Sequence, residues 1–396
     1  MKISYLHYLY GQDTALHHVR QFAEGARQLG HEVCVHSMNL APPPEVAGAA
    51  APASFKQRLR RGLKRRFGRW LHDPKELWWN FEYIRRESQL VATDQPDVLL
   101  VRSQGLGISC VRVAKKLGLP LVLEINAPAG ETSTYLAHQY HHWTRLRQWA
   151  GRYKLQRADA LFVVSGALKQ YYVDQHQLPA AKIFVVPNGA DVDRFRPDTA
   201  PDPEFRRDPA RPRIGYVGSF QAWHALDLLG QVVEAVGRER PQSRFLMVGA
   251  GEGVARLRAE TSLDEERLVF TGRVEHARVP GLVASLDIGL LAEAAYYQCP
   301  LKVVEWMAAG KAIVAPGYPP LHELLVDGEE GLLFPPGDFA AMKAALLRLV
   351  DDAELRERLG AAAARRAHSS LSWRDNARRV VEACSWAIAA HQRGRA

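Results

Sequence analysis

Short apolar runs alternate with helical patterns along the chain, and this alternation restricts the fold more than any other feature of the sequence. The runs are residues 2–10, 32–37, 97–103, 120–126, 158–165 and 182–189 in the first half, and 213–219, 244–251, 268–272, 286–292 and 312–315 in the second. Apolar strands separated by helices form parallel sheets with helices on both faces. The sequence therefore predicts an α/β fold.

The segment 196–212, "RPDTAPDPEFRRDPARP", separates the two series and is rich in Pro, Asp and Arg. We interpret it as a linker between domains. The predicted domains are residues 1–195 and residues 213–370, each a doubly wound, Rossmann-like sheet. A helical pattern continues towards the C-terminus.

The composition, 47% hydrophobic and 24% charged over 396 residues, is ordinary for a soluble globular protein. No apolar stretch reaches the roughly 18–20 residues that span a bilayer, and the first residues show no signal-peptide pattern. The four cysteines are far apart in the sequence, which favours reduced thiols over disulfides or a zinc site. These features predict a cytoplasmic protein.

A basic segment lies within residues 54–73, where eight Lys or Arg precede the first acidic residue. Apolar residues recur in it every four positions, at Phe55, Leu59, Leu63, Phe67 and Leu71. Such a helix, over 55–71, is typical of a membrane-surface element. A patch for phosphate polymers and a merely solvated helix stay open as alternatives. No nucleic-acid-binding signature occurs elsewhere, and two glycines weaken the prediction of one continuous helix.

The stretch "PLKVVEWMAAGKAIVAP" (300–316) places two charges in an apolar run. Pro300 and Gly310 predict a helix over 300–309. Lys302 and Glu305 are three residues apart, so they share a face near the helix start, where backbone N–H groups attract anions. The pair suits a ligand with phosphates and a sugar ring. A solvated ion pair on an amphipathic helix explains the same pattern.

Several stretches, in this order, resemble the retaining family-4 glycosyltransferases of the GT-B fold: "VVPNGADVDRF" (185–195), "YVGSFQAWHALD" (216–227) and "PLKVVEWMAAGKAIVA" (300–315). "LEINAP" and the "WH" pair resemble the bacterial envelope-polysaccharide branch. The resemblance implies two Rossmann-like domains facing a cleft, with a nucleoside-diphosphate sugar on the C-terminal domain and the acceptor on the N-terminal one. It also implies that a C-terminal helix within 371–396 packs back on the first domain.

The resemblance gives roles to the 300–309 helix. Glu305 corresponds to the family carboxylate that binds the donor ribose, and Lys302 is expected near the diphosphate or sugar. The backbone N–H groups around Leu301, Lys302 and Val303 would cap the phosphates. The first carboxylate of the family motif, which lies near the transferred sugar in relatives, falls at Tyr297, so the sequence departs from the family pattern at this position.

Further expected donor ligands are Gly218, then Ser219 and His224, which stand where relatives often carry the cations that serve the diphosphate, and Arg273, near the base. In the N-terminal domain the expected site residues are Gly11, in the loop after the first strand, and Asn126, where many relatives place a His near the reacting sugar. His224, Lys302 and Asn126 are the expected catalytic residues. The charge of His224 is left open, and packing by Trp223 is an alternative role for its loop.

The resemblance thus implies a metal-independent transferase that retains anomeric configuration, takes a UDP-sugar or GDP-sugar and needs no cofactor. "VGAGEG" (248–253) matches the dinucleotide fingerprint poorly, so no nicotinamide site is predicted. The expected acceptor is a glycan or a polyprenyl-diphosphate-linked glycan, and the basic segment 55–71 would dock the enzyme on the cytoplasmic membrane face. A catalytically silent sugar-nucleotide-binding scaffold and a GT-B epimerase are the competing hypotheses.

Overall fold

The computed structural model of the chain describes residues 1–9, 14–38, 55–102, 105–128, 143–221 and 224–394, with side chains for all of these except 14–15 and 55–73. The residues group into two compact units. Unit 1 comprises Met1–Val164, Leu168–Val186 and Ala377–Ala396; unit 2 comprises Ser165–Ala167 and Pro187–Asn376.

Unit 1 is built on a six-stranded parallel sheet in the order β2-β1-β3-β4-β5-β6. Its strands are β1 (Lys2–His7), β2 (Glu32–Ser37), β3 (Val98–Arg102), β4 (Leu121–Ile125), β5 (Ala160–Val163) and β6 (Ile183–Val185). The helices between these strands are α1 (Thr14–Gln28), α2 (Phe55–Asp94), α3 (Ser109–Leu117), α4 (Thr144–Arg157) and α5 (Gly166–His176).

Unit 2 repeats the design with a second six-stranded parallel sheet, in the order β12-β11-β10-β7-β8-β9. Its strands are β7 (Arg213–Val217), β8 (Arg244–Val248), β9 (Leu268–Gly272), β10 (Ile288–Leu290), β11 (Ala312–Pro316) and β12 (Leu332–Phe334). The helices that follow β6 along the chain are α6 (Leu226–Glu239), α7 (Val254–Ala259), α8 (Val279–Ala284), α9 (Leu301–Ala308), α10 (Pro319–Leu324), α11 (Phe339–Asp351), α12 (Ala353–Ser370) and α13 (Trp373–Arg393).

The last helix, α13, supplies part of the core of unit 1. Four of its residues pack into the cluster that the buried strand residues of β1, β3 and β4 form: Ala377, Val380, Cys384 and Ala387. Their spacing of three or four residues places them on one helix face. The helix expected within 371–396 is therefore present, and its residues from Ala377 onwards belong to unit 1.

The strand order of each sheet reverses next to its first strand. In unit 2, β7 lies between β8 and β10, and in unit 1, β1 lies between β2 and β3. Loops that leave the carboxyl ends of such neighbouring strands run to opposite faces, and ligands of open α/β sheets bind in the crevice between them. The carboxyl ends of β7 and β10 are therefore the expected place for a site in unit 2.

The segment 196–212 differs from its prediction as a linker. It forms no helix or strand, but it packs on unit 2, where Asp202 binds Arg278 (Oδ2–Nε 2.6 Å) and Arg207 donates to Asp287 (Nε–Oδ1 2.9 Å). The division between the units falls at Pro187 instead of 195–196. Partners about eighty residues away give no local signal, so composition alone placed the boundary too late.

The basic segment 55–71 lies at the start of α2, a continuous helix of 40 residues that includes Pro74. The glycines at 62 and 68 do not break it. The side chains of this segment, like Gly11 and Trp223, lie outside the described residues. In the parts of the chain that the structure describes, no helix combines the length and apolarity that crossing a bilayer requires.

Gly289 in β10 faces the ring of the fully buried Trp306 in α9, and a Cβ at this position would lie 2.4 Å from Trp306 Cδ2. Overpacking of this kind costs about 1–3 kcal/mol, so Gly289→Ala should lower the free energy of unfolding by that amount, read as a lower urea midpoint. Trp306→Phe in the same chain should recover part of the loss, since it removes ring atoms at the clash. Strictly additive effects of the two substitutions would contradict the contact.

Candidate functional site

The start of α9 lies at the carboxyl edge of the unit 2 sheet, in the connection that leaves β10. Pro300 is the N-cap with an extended backbone (φ −71°, ψ 120°), and Gly310 follows the helix with φ +67°. The first N–H groups of a helix have no intrahelical acceptor, which leaves those of Leu301 and Lys302 available. The N–H of Val303 already donates to the Pro300 carbonyl at 3.1 Å. Of the three N–H groups expected to bind the phosphates, this leaves those of Leu301 and Lys302.

Lys302 is held against the end of β7 by Tyr216. Its Nζ donates to the Tyr216 hydroxyl at 2.7 Å and lies 4.0 Å from the centre of that ring. The same hydroxyl donates to the Ser219 carbonyl at 3.0 Å. Tyr216 therefore ties the ammonium group and the loop after β7 together. Sequence reasoning missed this residue, because a tyrosine in an apolar strand has the pattern of an ordinary core position.

Glycines allow the loops at this edge to approach closely. Gly218 has φ +146°, and a Cβ there would lie 2.9 Å from Lys302 Nζ. A Cβ on Gly249 would lie 2.0 Å from the Gly218 carbonyl oxygen. The first glycine of "VGAGEG" thus packs against the loop after β7, and Lys302 occupies the space that the missing side chain of Gly218 leaves.

Lys302 and Glu305 are both half-buried, and burial shifts both pKa values towards neutrality. Burial lowers the pKa of the Lys302 ammonium to about 7, although the Glu305 charge opposes the shift. Burial raises the pKa of the Glu305 carboxyl to about 7 against the opposing charges of Lys302 and Arg194. Within the described residues the Glu305 carboxylate accepts no hydrogen bond, so its oxygens are open to hydroxyl groups of a ligand.

His224 lies beside the same tyrosine, with ring centres 5.7 Å apart. Burial and the neighbouring charge of Lys302 lower the pKa of His224 to about 3. The imidazole is therefore neutral at pH 7 and supplies no positive charge to the site, although a neutral ring still carries one N–H donor. Ser219 is exposed on the adjoining loop.

The loop that enters α9 is fixed from two sides. Asn188 donates from Nδ2 to the Cys299 carbonyl at 2.7 Å, and Ser165 donates from Oγ to the Tyr297 carbonyl at 2.8 Å. Tyr297 is buried, so an aromatic ring occupies the position of the motif's first carboxylate. The side chain of Asn188 thus holds this loop in place.

Arg194 is a second residue that sequence reasoning did not single out. It donates from Nη2 to the His276 carbonyl at 3.0 Å, and its charge opposes the rise that burial causes in the pKa of Glu305. It therefore links the segment after β6 to the loop between β9 and α8. Arg273 lies exposed on that loop, and its contact with the base stays a prediction.

Asn126 belongs to unit 1, where it follows β4 and donates to Glu124 (Nδ2–Oε1 2.7 Å). Glu124 is buried and also accepts from Arg102 at 2.9 Å and from Tyr5. Burial disfavours its charged form, but Arg102, His18 and these hydrogen bonds lower the pKa of Glu124 overall. The buried carboxylate fixes the amide of Asn126, so its carbonyl oxygen is the group left for a ligand.

The predicted site residues thus form one cluster in unit 2, namely Gly218, His224, Lys302 and Glu305, with Ser219, Leu301 and Val303 adjoining it. Asn126 stands apart in unit 1, and Gly11 lies outside the described residues. Among the described side chains, no three His, Cys, Asp or Glu residues group as metal ligands. Metal-independent chemistry stays a prediction.

Two family models match consecutive parts of the chain. Residues 16–194 match "Glycosyltransferase Family 4" and residues 211–352 match "Glycosyl transferases group 1". The chain is 27% identical over 269 residues to an alpha-D-kanosaminyltransferase of Streptomyces kanamyceticus, covering 64% of this chain and 67% of that enzyme. It is 26% identical over 361 residues to a phosphatidyl-myo-inositol mannosyltransferase of Mycolicibacterium smegmatis, covering 89% and 84%.

Solved structures share the fold. Sucrose-phosphate synthase of Thermosynechococcus elongatus superposes with a TM-score of 0.69 at 18% identity, covering 96% of this chain and 98% of that one. Anabaena HepE in complex with UDP-glucose superposes with a TM-score of 0.67 at 16% identity, covering 97% and 99%. At these identities the likeness shows the two-sheet GT-B fold.

The titration of Lys302 tests the electrostatics of the cluster. Trace labelling with acetic anhydride over a pH series should give Lys302 a midpoint near pH 7, because burial disfavours its charged form. Glu305→Gln removes the carboxylate that raises this pKa, so the midpoint should move to lower pH. The exposed Glu329→Gln is the control and should leave it unchanged. A midpoint near 10 in the intact protein would contradict the burial of the ammonium.

Proposed function

Because the chain belongs to the GT-B glycosyltransferases of group 1 and family 4, we propose that it transfers a sugar from a nucleoside-diphosphate sugar with retention of anomeric configuration and without a metal. One observation carries the proposal. Tyr216 holds the Lys302 ammonium at the carboxyl end of β7, where the strand order reverses, and Glu305 lies one helical turn behind it. The order of these groups, the Lys302 ammonium and then the Glu305 carboxylate, corresponds to the order of diphosphate and ribose in a nucleoside-diphosphate sugar.

The donor would lie on unit 2. Lys302 and the N–H groups of Leu301 and Lys302 would face the diphosphate, and Glu305 would accept hydrogen bonds from the ribose hydroxyls. UDP-sugars and GDP-sugars both fit these contacts, because none of them reads the base. The support for a UDP-sugar is the fold that the chain shares with HepE, which was solved in complex with UDP-glucose.

Departure of the nucleoside diphosphate builds negative charge on its phosphate oxygens, and fixed donors stabilise that charge. Lys302 supplies the cation when protonated, and an approaching diphosphate raises its pKa above 7, so the ion pair forms at neutral pH. His224, neutral at this pH, would donate one N–H. Asn126 would orient the reacting sugar or the acceptor through its carbonyl oxygen, with attack from the side that the leaving group vacates.

For the acceptor we propose a glycan or a polyprenyl-diphosphate-linked glycan of cell-envelope polysaccharide synthesis, bound to unit 1. The mannosyltransferase of Mycolicibacterium smegmatis, which aligns with 89% of this chain, is named for a lipid acceptor. The basic segment 55–71 has the charge to attract the anionic cytoplasmic face of a membrane. The protein would then work as a peripheral enzyme at that face.

Tyr297 favours one competing function. A buried tyrosine replaces the carboxylate that relatives place near the transferred sugar, and a scaffold protein that binds sugar nucleotides without turnover would tolerate this change. The carboxylate at 305 and the cation at 302 would serve nucleotide binding in either case, so binding and turnover have to be measured separately.

Calorimetric titration with UDP, GDP and ADP tests the donor site. One nucleotide should bind clearly, and Glu305→Ala should weaken it about tenfold or more, because a hydrogen bond to a charged group contributes about 1.5–3 kcal/mol. Glu329→Ala, on an exposed turn, is the matched control. If no nucleotide binds the intact protein, the assignment of the donor site is wrong.

Release of nucleoside diphosphate from a panel of UDP- and GDP-sugars separates enzyme from scaffold. We expect turnover with one donor when a lipid-linked or soluble glycan acceptor is present, and Lys302→Met should lower kcat because the leaving group loses its cation. Tight nucleotide binding with no turnover on any donor would favour the scaffold. A variant with unchanged kcat would exclude Lys302 from the chemistry.

A further inference from the structure

Glu293 is a carboxylate of unit 2 that the proposed function leaves without a role. It is the one acidic residue of 291–299, within the loop that joins β10 to α9, and it is half-buried between the buried Ala292 and Ala294. In the part of the chain that the structure describes, no Lys, Arg or His pairs with it. Burying a charge costs free energy unless hydrogen bonds or an opposite charge compensate it, so this carboxylate is a candidate for contact with a ligand.

The sheet places Glu293 near the loop that Lys302 contacts. β10 lies between β7 and β11 and pairs in parallel with both. Continued beyond its paired residues, the register with β7 sets Ala292 opposite Gly218, on a strand about 4.8 Å away. A Cβ on Gly218 would lie 2.9 Å from Lys302 Nζ. Glu293 therefore leaves the sheet next to the loop that packs on the ammonium group.

Two hydrogen bonds fix the Glu293 carboxylate. The backbone N–H of Ala294 donates to its Oε1 at 2.8 Å, and the hydroxyl of Tyr318, two residues after β11, donates to the same carboxylate. Burial and this bond raise the pKa of Tyr318 to about 12, so the phenol keeps its proton at neutral pH. An ionised carboxylate accepts about four hydrogen bonds. Glu293 is thus held between the loops after β10 and β11, with acceptor positions left for a ligand.

Neighbouring charges indicate which part of a donor this carboxylate would meet. The charge that acts on the Lys302 ammonium is that of Glu305. The charges that act on the Glu305 carboxyl belong to three residues, Lys302, Arg194 and Asp191. Glu293 is in neither set of described charges, so it lies apart from the places proposed for the diphosphate and the ribose. Phosphate oxygens repel a carboxylate, whereas hydroxyl groups donate to it, and the remaining hydroxyl groups of a nucleoside-diphosphate sugar belong to the sugar.

We propose that Glu293 selects the sugar of the donor by accepting hydrogen bonds from its hydroxyl groups, and that Tyr318 is the positioning residue for this carboxylate. The inference deepens the proposed function, on which it rests for the nucleoside-diphosphate-sugar donor. Tyr297 stands where the family motif has its first carboxylate, and Glu293, four residues earlier in the same loop, supplies one from a different position. A site that hydrogen-bonds a hydroxyl group rejects sugars that lack it, because its polar groups are then left unpaired.

Calorimetric titration with free nucleotides and with a panel of UDP- and GDP-sugars tests the proposal. Glu293→Gln keeps the shape of the side chain and one acceptor oxygen but removes the charge. Affinity for the sugar nucleotide that the intact protein binds should fall about tenfold, because hydrogen bonds to a charged acceptor are about twice as strong as neutral ones. Affinity for the matching UDP or GDP should change by less than about twofold, since Glu293 does not contact the nucleotide. Glu329→Gln, on an exposed turn, is the matched control and should bind both ligands as the intact protein does.

Analogues of that sugar nucleotide that each lack one sugar hydroxyl locate the contact. One analogue should bind the intact protein more weakly yet lose little more affinity in Glu293→Gln, since both changes remove the same hydrogen bond. Tyr318→Phe leaves the carboxylate in place but removes one of the bonds that orient it. This variant should show a smaller loss, confined to the same hydroxyl, and a higher KM for the donor with unchanged binding of the free nucleotide. A role in folding alone would not single out one hydroxyl group.

Three results with Glu293→Gln would overturn its role while leaving the donor site standing: equal losses of affinity for the free nucleotide and the sugar nucleotide, unchanged affinity for both, or equal losses with every analogue. Binding of UDP or GDP but of no sugar nucleotide by the intact protein would also contradict it. If Glu293→Gln melts well below the intact protein, Tyr318→Phe carries the same test. If the intact protein binds no nucleotide at all, the proposed donor site is wrong and this inference fails with it.

Discussion

Parallel strand pairing is the constraint on which both units depend. A parallel ladder needs a crossover after every strand, and each sheet must be covered on both faces. Because the crossovers all leave from the carboxyl ends, they gather at one edge of each sheet. At this edge in unit 2, the loops after β7 and β8 meet through Gly218 and Gly249, and α9 begins.

The chemistry at that edge follows from where charge is placed. Burying the charged form of Lys302 or of Glu305 costs free energy. The attraction between the two opposite charges offsets only part of that cost. Both pKa values therefore approach 7. The Val303 N–H and the Tyr216 hydroxyl already form hydrogen bonds within the protein, and these bonds fix the helix start and the Lys302 ammonium. The groups left open are those that a ligand with phosphates and hydroxyls would satisfy.

The sequence predicted what depends on local pattern. The strands "EVCVHS" and "LVFTG" match β2 and β9, and the helix between Pro300 and Gly310 appears as α9. What it could not predict depends on contacts between distant residues. Tyr216 and Arg194 reach α9 and His276 across about eighty residues each, and β12, with three residues, is too short to show a period. The neutrality of His224 likewise comes from burial, which a single sequence does not display.

The helix α13 has a consequence for synthesis of the chain. Ala377, Val380, Cys384 and Ala387 complete the core around the strands that the ribosome makes first. Domains usually fold in the order in which they emerge, but here part of the apolar core of the unit 1 sheet stays uncovered until α13 has been made. The core of unit 1 therefore starts to form before unit 2 is made but is completed after it. A chain that stops before residue 377 exposes the uncovered part of this core to other nascent chains.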